Sequence, residues 1–117
     1  MPVPLHEAKA ALFRNIGHPI RIRVLELLCE RDHAVHELLA AIEVEPSTLS
    51  QQLGILRRAG IVRQQRLGGE VRYSLMVPSV SELLSAARTT LGFLLADQAQ
   101  LQADLDEEAS ADLDGIA

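Results

Sequence analysis

The sequence predicts a mainly α fold carrying one small β-hairpin, ordered as four helices, two strands and one long helix. Three observations carry that expectation. Apolar residues recur at three- and four-residue spacing in five separate stretches, the period of an amphipathic helix. Two short alternating runs are joined by Gly68-Gly69, a two-residue hairpin signal. Pro19, Pro46 and Pro78, with Gly17 and Gly60, fall between the periodic stretches, where such residues punctuate helices.

Leu5, Ala8, Leu12, Phe13 and Ile16 form the first stripe, and Gly17-His18-Pro19 stops it. Ile20, Val24, Leu27 and Leu28 form the second, with Pro19 near its first turn, where a missing N–H is tolerated. A polar joint, residues 30–33, precedes a short third helix over Val35, Leu38, Leu39 and Ile42. Glu45-Pro46-Ser47-Thr48 reads as a helix start. Leu49, Leu53 and Leu56 carry the fourth stripe, and Ala59-Gly60 ends it. In the second strand Val71, Tyr73 and Leu75 alternate with Glu70, Arg72 and Ser74.

After Pro78 a long helix is expected from about residue 79 to about 105. Leu84, Ala87, Leu91, Leu94, Gln98, Leu101 and Leu105 step by alternating threes and fours, a coiled-coil-like period. A stripe that long on a small domain needs a partner, and a second copy of the chain is the simplest one. The expected organisation is one domain over residues 1–105 and an acidic, disordered tail over residues 106–117.

The 117 residues and the 48% apolar content suit one compact domain rather than a disordered chain. Phe13, Tyr73 and Phe93 are the only aromatics, too few for the stacking platforms of single-strand nucleic-acid binders. The formal charge of −5 conceals an uneven distribution. Residues 97–117 hold seven carboxylates and no base, whereas Pro46 to Leu75 holds five arginines (Arg57, Arg58, Arg63, Arg66, Arg72) and one acid, Glu70. A basic segment inside an acidic protein is the footprint of a local polyanion site. No run approaches the roughly 18 apolar residues of a membrane span, no basic n-region with an apolar run opens the chain, and a cytoplasmic protein is expected.

Two helices joined by a short turn and followed by a basic hairpin make a winged helix-turn-helix. The second of those helices must offer short polar side chains to base edges in a major groove. Ser47, Thr48, Ser50, Gln51 and Gln52 occupy its first two turns, with Leu49 and Leu53 set inward between them. Gln pairs bidentately with adenine, and Ser and Thr contact bases or phosphates. Arg57 and Arg58 follow at phosphate-binding positions, and Arg66 and Arg72 flank the hairpin loop. The partner these residues imply is double-stranded DNA with a pseudo-palindromic site.

Leu12-Phe13-Arg14, the run Gly17-His18-Pro19-Ile20-Arg21-Ile22-Arg23-Val24-Leu25, Ser47-Thr48-Leu49-Ser50-Gln51-Gln52-Leu53 and Leu56-Arg57-Arg58-Ala59-Gly60-Ile61-Val62 resemble the ArsR/SmtB family of bacterial repressors, in order and spacing, over about residues 5–95. The resemblance implies a homodimer built from the first and last helices, placing Leu5, Leu12, Leu84, Ala87, Leu91, Leu94 and Leu101 at the interface. It also implies DNA reading by the fourth helix and the wing, and repression relieved by a small inducer. Two positions depart from the family pattern. The wing carries Gly69 and Glu70 where a basic residue often follows the first turn glycine. The joint before the reading helix carries Glu43 where glycine is frequent.

Neither usual family metal site is expected. The Cys-Val-Cys of one such site corresponds here to Ala34, Val35 and His36, and the last helix has no histidine for the other. From the residues alone, His33 and His36, with Glu37 and Cys29 near in sequence, are the one group of zinc-ligand types, short of a full ligand set. Cys29 beside Leu28 reads as an apolar filler, and redox sensing would require an exposed thiolate of low pKa. A thiol- or metal-responsive repressor using Cys29 or His33 and His36 is thus one alternative. A winged-helix module that no longer binds DNA and holds a protein partner through its acidic tail or long helix is another. No nucleophile–base pair, phosphate loop or paired carboxylates point to an enzyme, and no cofactor is called for.

Overall fold

The computed structural model describes residues 2–116, with side chains described over residues 2–110. Ala117, the end of the expected acidic tail, lies outside the described residues. The elements are α1 (Leu5–Ile16), α2 (Pro19–Glu30), β1 (His33–Ala34), α3 (Val35–Ile42), α4 (Pro46–Arg58), β2 (Val62–Leu67), β3 (Glu70–Leu75) and α5 (Val80–Ile116). Two compact units divide the chain, Met1–Ser81 and Glu82–Ala117.

In the first unit α2 is the hub, packing on α3, α4 and β3, while α4 also meets α1 and β2. Its core is aliphatic. Val24, Leu25, Leu38, Leu49 and Leu56 are fully enclosed, Leu53 nearly so, and Tyr73 is the single aromatic among them. Leu25 joins Val24, Leu27 and Leu28 on the buried face of α2, a wider apolar arc than the stripe read from spacing alone.

Local chemistry fixes the helix ends. His18 is the N-cap of α2, its Nδ1 accepting the Ile20 N–H at 3.1 Å and satisfying a first-turn donor that the helix cannot. Glu37 Oε1 accepts the Ala34 N–H at 2.9 Å, half of a capping box at the start of α3. At its other end α3 closes on Glu43, whose φ of 57° and ψ of 54° are left-handed. Glycine normally serves in that conformation. Glu43 adopts it nonetheless, and its N–H bonds the Leu39 carbonyl at 3.1 Å, so the joint keeps the glycine geometry without the glycine.

The sheet has three strands, ordered β1-β3-β2 and antiparallel throughout. The hairpin is as expected: Leu67 pairs with Glu70 across Gly68 and Gly69, whose φ values of 57° and 79° are those of a two-residue turn. The third strand is an addition. His33, read from the sequence as the end of a polar joint, and Ala34 after it pair with Tyr73 and Arg72. Two residues carry no periodicity, so this strand had no pattern to reveal it.

The second unit is the body of α5. The helix passes the expected end near Leu105 and continues to Ile116, so most of the acidic segment is helical rather than disordered. Side-chain amides of Gln100 and Gln102 donate to Asp104 and Asp106, each at 2.9 Å, i,i+4 bonds that support helix continuation. No described helix is long and apolar enough to cross a membrane.

Candidate nucleic-acid interface

The polar face of α4 follows from its inner one. Leu49, Leu53 and Leu56 are buried, which turns Ser47, Ser50, Gln51, Arg57 and Arg58 outward, all exposed. Thr48 is half-buried. Gln52 differs from Gln51: it is half-covered, and its Oε1 is buried without a partner among the described side chains. Being three residues after Leu49 and one before Leu53, it lies at the margin of the inner face. Gly54 is buried beneath the Arg58 side chain, whose Nη1 lies 3.1 Å from where a Cβ would stand.

The wing is tied to the helices at two points. Arg57 of α4 donates to the Gln64 side-chain oxygen of β2, joining the end of α4 to the first hairpin strand. Glu70, at the start of β3, accepts from His36 Nε2 of α3 at 2.7 Å and from Arg72 Nη1 at 3.0 Å. The His36 bond first, and the Arg72 bond second, hold the Glu70 carboxyl below the usual carboxylate range. Neither Gln64 nor the Glu70–His36 pair is evident from sequence. Their separations, seven residues for Arg57–Gln64 and 34 for His36–Glu70, only acquire meaning once the hairpin has folded back.

Strand register separates the two wing arginines that the sequence places together. Arg66 pairs with Val71 and Arg72 with Gln65, so alternation puts them on opposite faces of the hairpin. Arg66 is exposed and shares its face with Gln64, the side that meets α4. Arg72 is less exposed and engaged by Glu70.

The candidate ligand set is dispersed. His33 is buried and its Nδ1 donates to the Arg31 carbonyl at 2.9 Å, whereas His36 is exposed and turned to Glu70. Arg31 and Ala34 N–H bind Glu37 and lower its carboxyl to about 2, the Arg31 bond contributing most. Cys29 is half-buried, and burial pushes its thiol up, the opposite of an activated thiolate.

On the proposed dimer helices, Leu5 and Leu12 of α1 are 70% and 39% exposed, and Leu91, Leu94 and Leu101 of α5 are 57%, 50% and 60% exposed. Ala87 is exposed as well, and Leu84 is half-buried.

A helix-turn-helix with an exposed polar reading face, flanked by an arginine-bearing antiparallel hairpin, defines a winged-helix DNA-binding regulator. Residues 18–64 match the family model for bacterial regulatory proteins of the arsR family. Over 109 residues the chain is 48% identical to the HTH-type transcriptional regulator Rv0081 of Mycobacterium tuberculosis, covering 92% of this chain and 96% of that one. The crystal structure of Rv0081 superposes with a TM-score of 0.75 over 84% of this chain and 99% of that one. The transcriptional repressor BigR from Xylella fastidiosa gives 0.68 at 34% identity, over 73% and 87%. A biofilm growth-associated repressor of Agrobacterium fabrum is 34% identical over 90 residues, covering 74% of this chain and 77% of its own. The chain belongs to the ArsR family of bacterial transcriptional regulators, and is a DNA-binding regulator rather than an enzyme.

Proposed function

We propose that the chain is a homodimeric repressor acting in the cytoplasm, holding a pseudo-palindromic operator without a metal of the usual family kinds. The observation that carries this reading is the outward face of α4, where Ser47, Ser50 and Gln51 precede Arg57 and Arg58 over a buried leucine stripe. In this reading Ser47, Thr48, Ser50, Gln51 and the accessible part of Gln52 meet base edges. Arg57, Arg58 and Arg66 neutralise phosphates, and Arg72 orients the wing through Glu70. The Agrobacterium fabrum and Xylella fastidiosa relatives above are both named as repressors, which supports the direction of regulation. The exposed leucines of α1 and α5 supply the apolar surface that a second copy would cover, and a twofold dimer presents two reading helices about one DNA turn, or a multiple, apart.

The test is fluorescence anisotropy of metal-free, reduced protein on DNA from upstream of its own gene, with a shuffled duplex as control. Selective, salt-sensitive binding is expected. Replacing Gln51 and Gln52 together by Ala should abolish the preference for the operator while leaving weak binding to both duplexes. Unchanged selectivity in that variant would remove α4 as the reading element.

A further inference from the structure

Between α3, the first turns of α4 and the wing lies a cavity of about 630 Å³. Its size falls within the range of small-molecule sites, roughly 300–1,000 Å³. Val35 and Leu39 of α3, Leu53 of α4, and Val71 and Tyr73 of β3 form apolar walls. Val35, Leu39 and Val71 are only half-buried, so the folded chain leaves apolar surface facing this space uncovered.

We propose that this cavity binds a compact uncharged molecule, one or two rings bearing a hydroxyl or carbonyl group, and that its occupancy opposes DNA binding. The polar groups at the cavity select that chemistry. Gln64, a lining residue, already uses its side-chain oxygen to accept from Arg57, which leaves its NH₂ as the donor it can offer a bound molecule. Ser50 places a hydroxyl at the same lining. Glu70 and His36 stand at the cavity bonded to each other, with Arg72 holding the second carboxylate oxygen, so the lining offers neither an unpaired base to an anion nor an unpaired carboxylate to a cation.

The coupling is geometric and rests on the DNA-binding reading above. The cavity's opposing walls are the two DNA-binding parts, helix-turn-helix and wing, and the His36–Glu70 bond straps one to the other. A molecule wedged between them changes their separation. It also engages Ser50 and Gln64, the first a proposed base contact and the second the group that orients Arg57. Ligand and DNA therefore draw on the same side chains in different arrangements, which is what makes their affinities mutually unfavourable.

The experiment titrates methyl-labelled protein with 2-naphthol, using 2-naphthoate as the anionic counterpart, and repeats the operator anisotropy at saturating 2-naphthol. Saturable NMR shifts are expected at the methyls of Val35, Leu39, Leu53 and Val71, with those of Val24 and Leu25 unmoved. 2-Naphthoate should bind at least tenfold more weakly, and 2-naphthol should raise the operator Kd at least tenfold. Val71→Phe, which fills the cavity from the wing side, should abolish the shifts and the DNA response while keeping the ligand-free operator affinity. Leu39→Phe fills it from α3 and replaces that variant if it does not fold. No saturable shifts, shifts centred on Leu91 and Leu94, or equal binding of the anion would overturn the site. Unchanged operator affinity with the site saturated would overturn the coupling. If ligand-free protein has no operator preference, the DNA reading has failed, and the NMR titration still decides whether the site exists.

Discussion

Glu43 is the residue at which backbone strain is clearest. A left-handed conformation costs a residue with a Cβ about 1–2 kcal/mol, and Glu43 holds it at the joint between α3 and α4. Glycine would remove that cost but would add about 0.5–1 kcal/mol of chain freedom to the unfolded state. Glu43→Gly should therefore stabilise the protein by up to about 1 kcal/mol, seen as a raised Tm in a thermal melt. A lowered Tm would mean that the Glu43 side chain contributes more at the joint than its conformation costs. Glu37 gives a pH signature. Its folded pKa, about 2, is depressed below the ordinary carboxylate value. The stability it contributes is thus complete above that ordinary value and is lost as pH falls through the interval down to about 2. Glu37→Gln should melt below the parent chain at neutral pH, and the gap should close as melts are repeated at progressively lower pH over that interval. A gap independent of pH would show that the carboxylate charge is irrelevant to the cap.

Helix α4 and the wing are tied together through Arg57 and Gln64. Gly54 lies mid-helix, where glycine is worth about 1 kcal/mol less than alanine, yet the Arg58 Nη1 lies only 3.1 Å from where a Cβ would stand and would have to give way slightly. Gly54→Ala should stabilise α4 by roughly 0.5–1 kcal/mol, because the tip of an arginine yields easily. The same change should weaken operator binding several-fold by displacing Arg58, so that a Tm series and the anisotropy titration move in opposite directions. If affinity holds, Arg58 does not act from its position over Gly54. The α4 face was legible in the sequence because burial of Leu49, Leu53 and Leu56 at helical spacing dictates which side chains point out. The hairpin was legible because Gly68-Gly69 suits a turn with two positive φ angles. Less was readable where the information is not local. Gln52 differs from Gln51 only by its place at the edge of the buried face. Arg66 and Arg72 differ by strand register. The β1 strand is two residues without a pattern, and Glu70 acquires its partner His36 only through the fold. The extension of α5 past Leu105 was missed for another reason: the acidic composition argued for disorder, whereas the Gln–Asp pairs and helix-forming Ala, Leu and Glu sustain the helix.

At the scale of the molecule, the leucine stripe of α5 and the acidic end of the same helix make separable predictions. Leu91 and Leu94 are half or more exposed, and charging both, as Leu91→Glu with Leu94→Glu, should convert a particle of twice 12.8 kDa into one of 12.8 kDa by sedimentation. Losing the second half-site contact removes an avidity of about 10²–10⁴, and operator affinity should fall by that order. A variant that stays dimeric would move the interface away from this stripe. The seven carboxylates of residues 97–117 carry the sign of charge that phosphates repel. Repulsion between them and the phosphates reaches about one Debye length, about 8–10 Å at physiological salt. Deleting residues 106–117 removes five of the seven without touching Leu91, Leu94, Leu101 or the α4 face. A regulator that binds DNA through α4 and the wing should keep its affinity after this deletion or gain some, and the gain should shrink as salt rises. If the truncated chain instead loses operator binding while remaining dimeric, the acidic helix end contributes to the interaction. The module that uses this tail to hold a partner would then account for the charge distribution better than the repressor does.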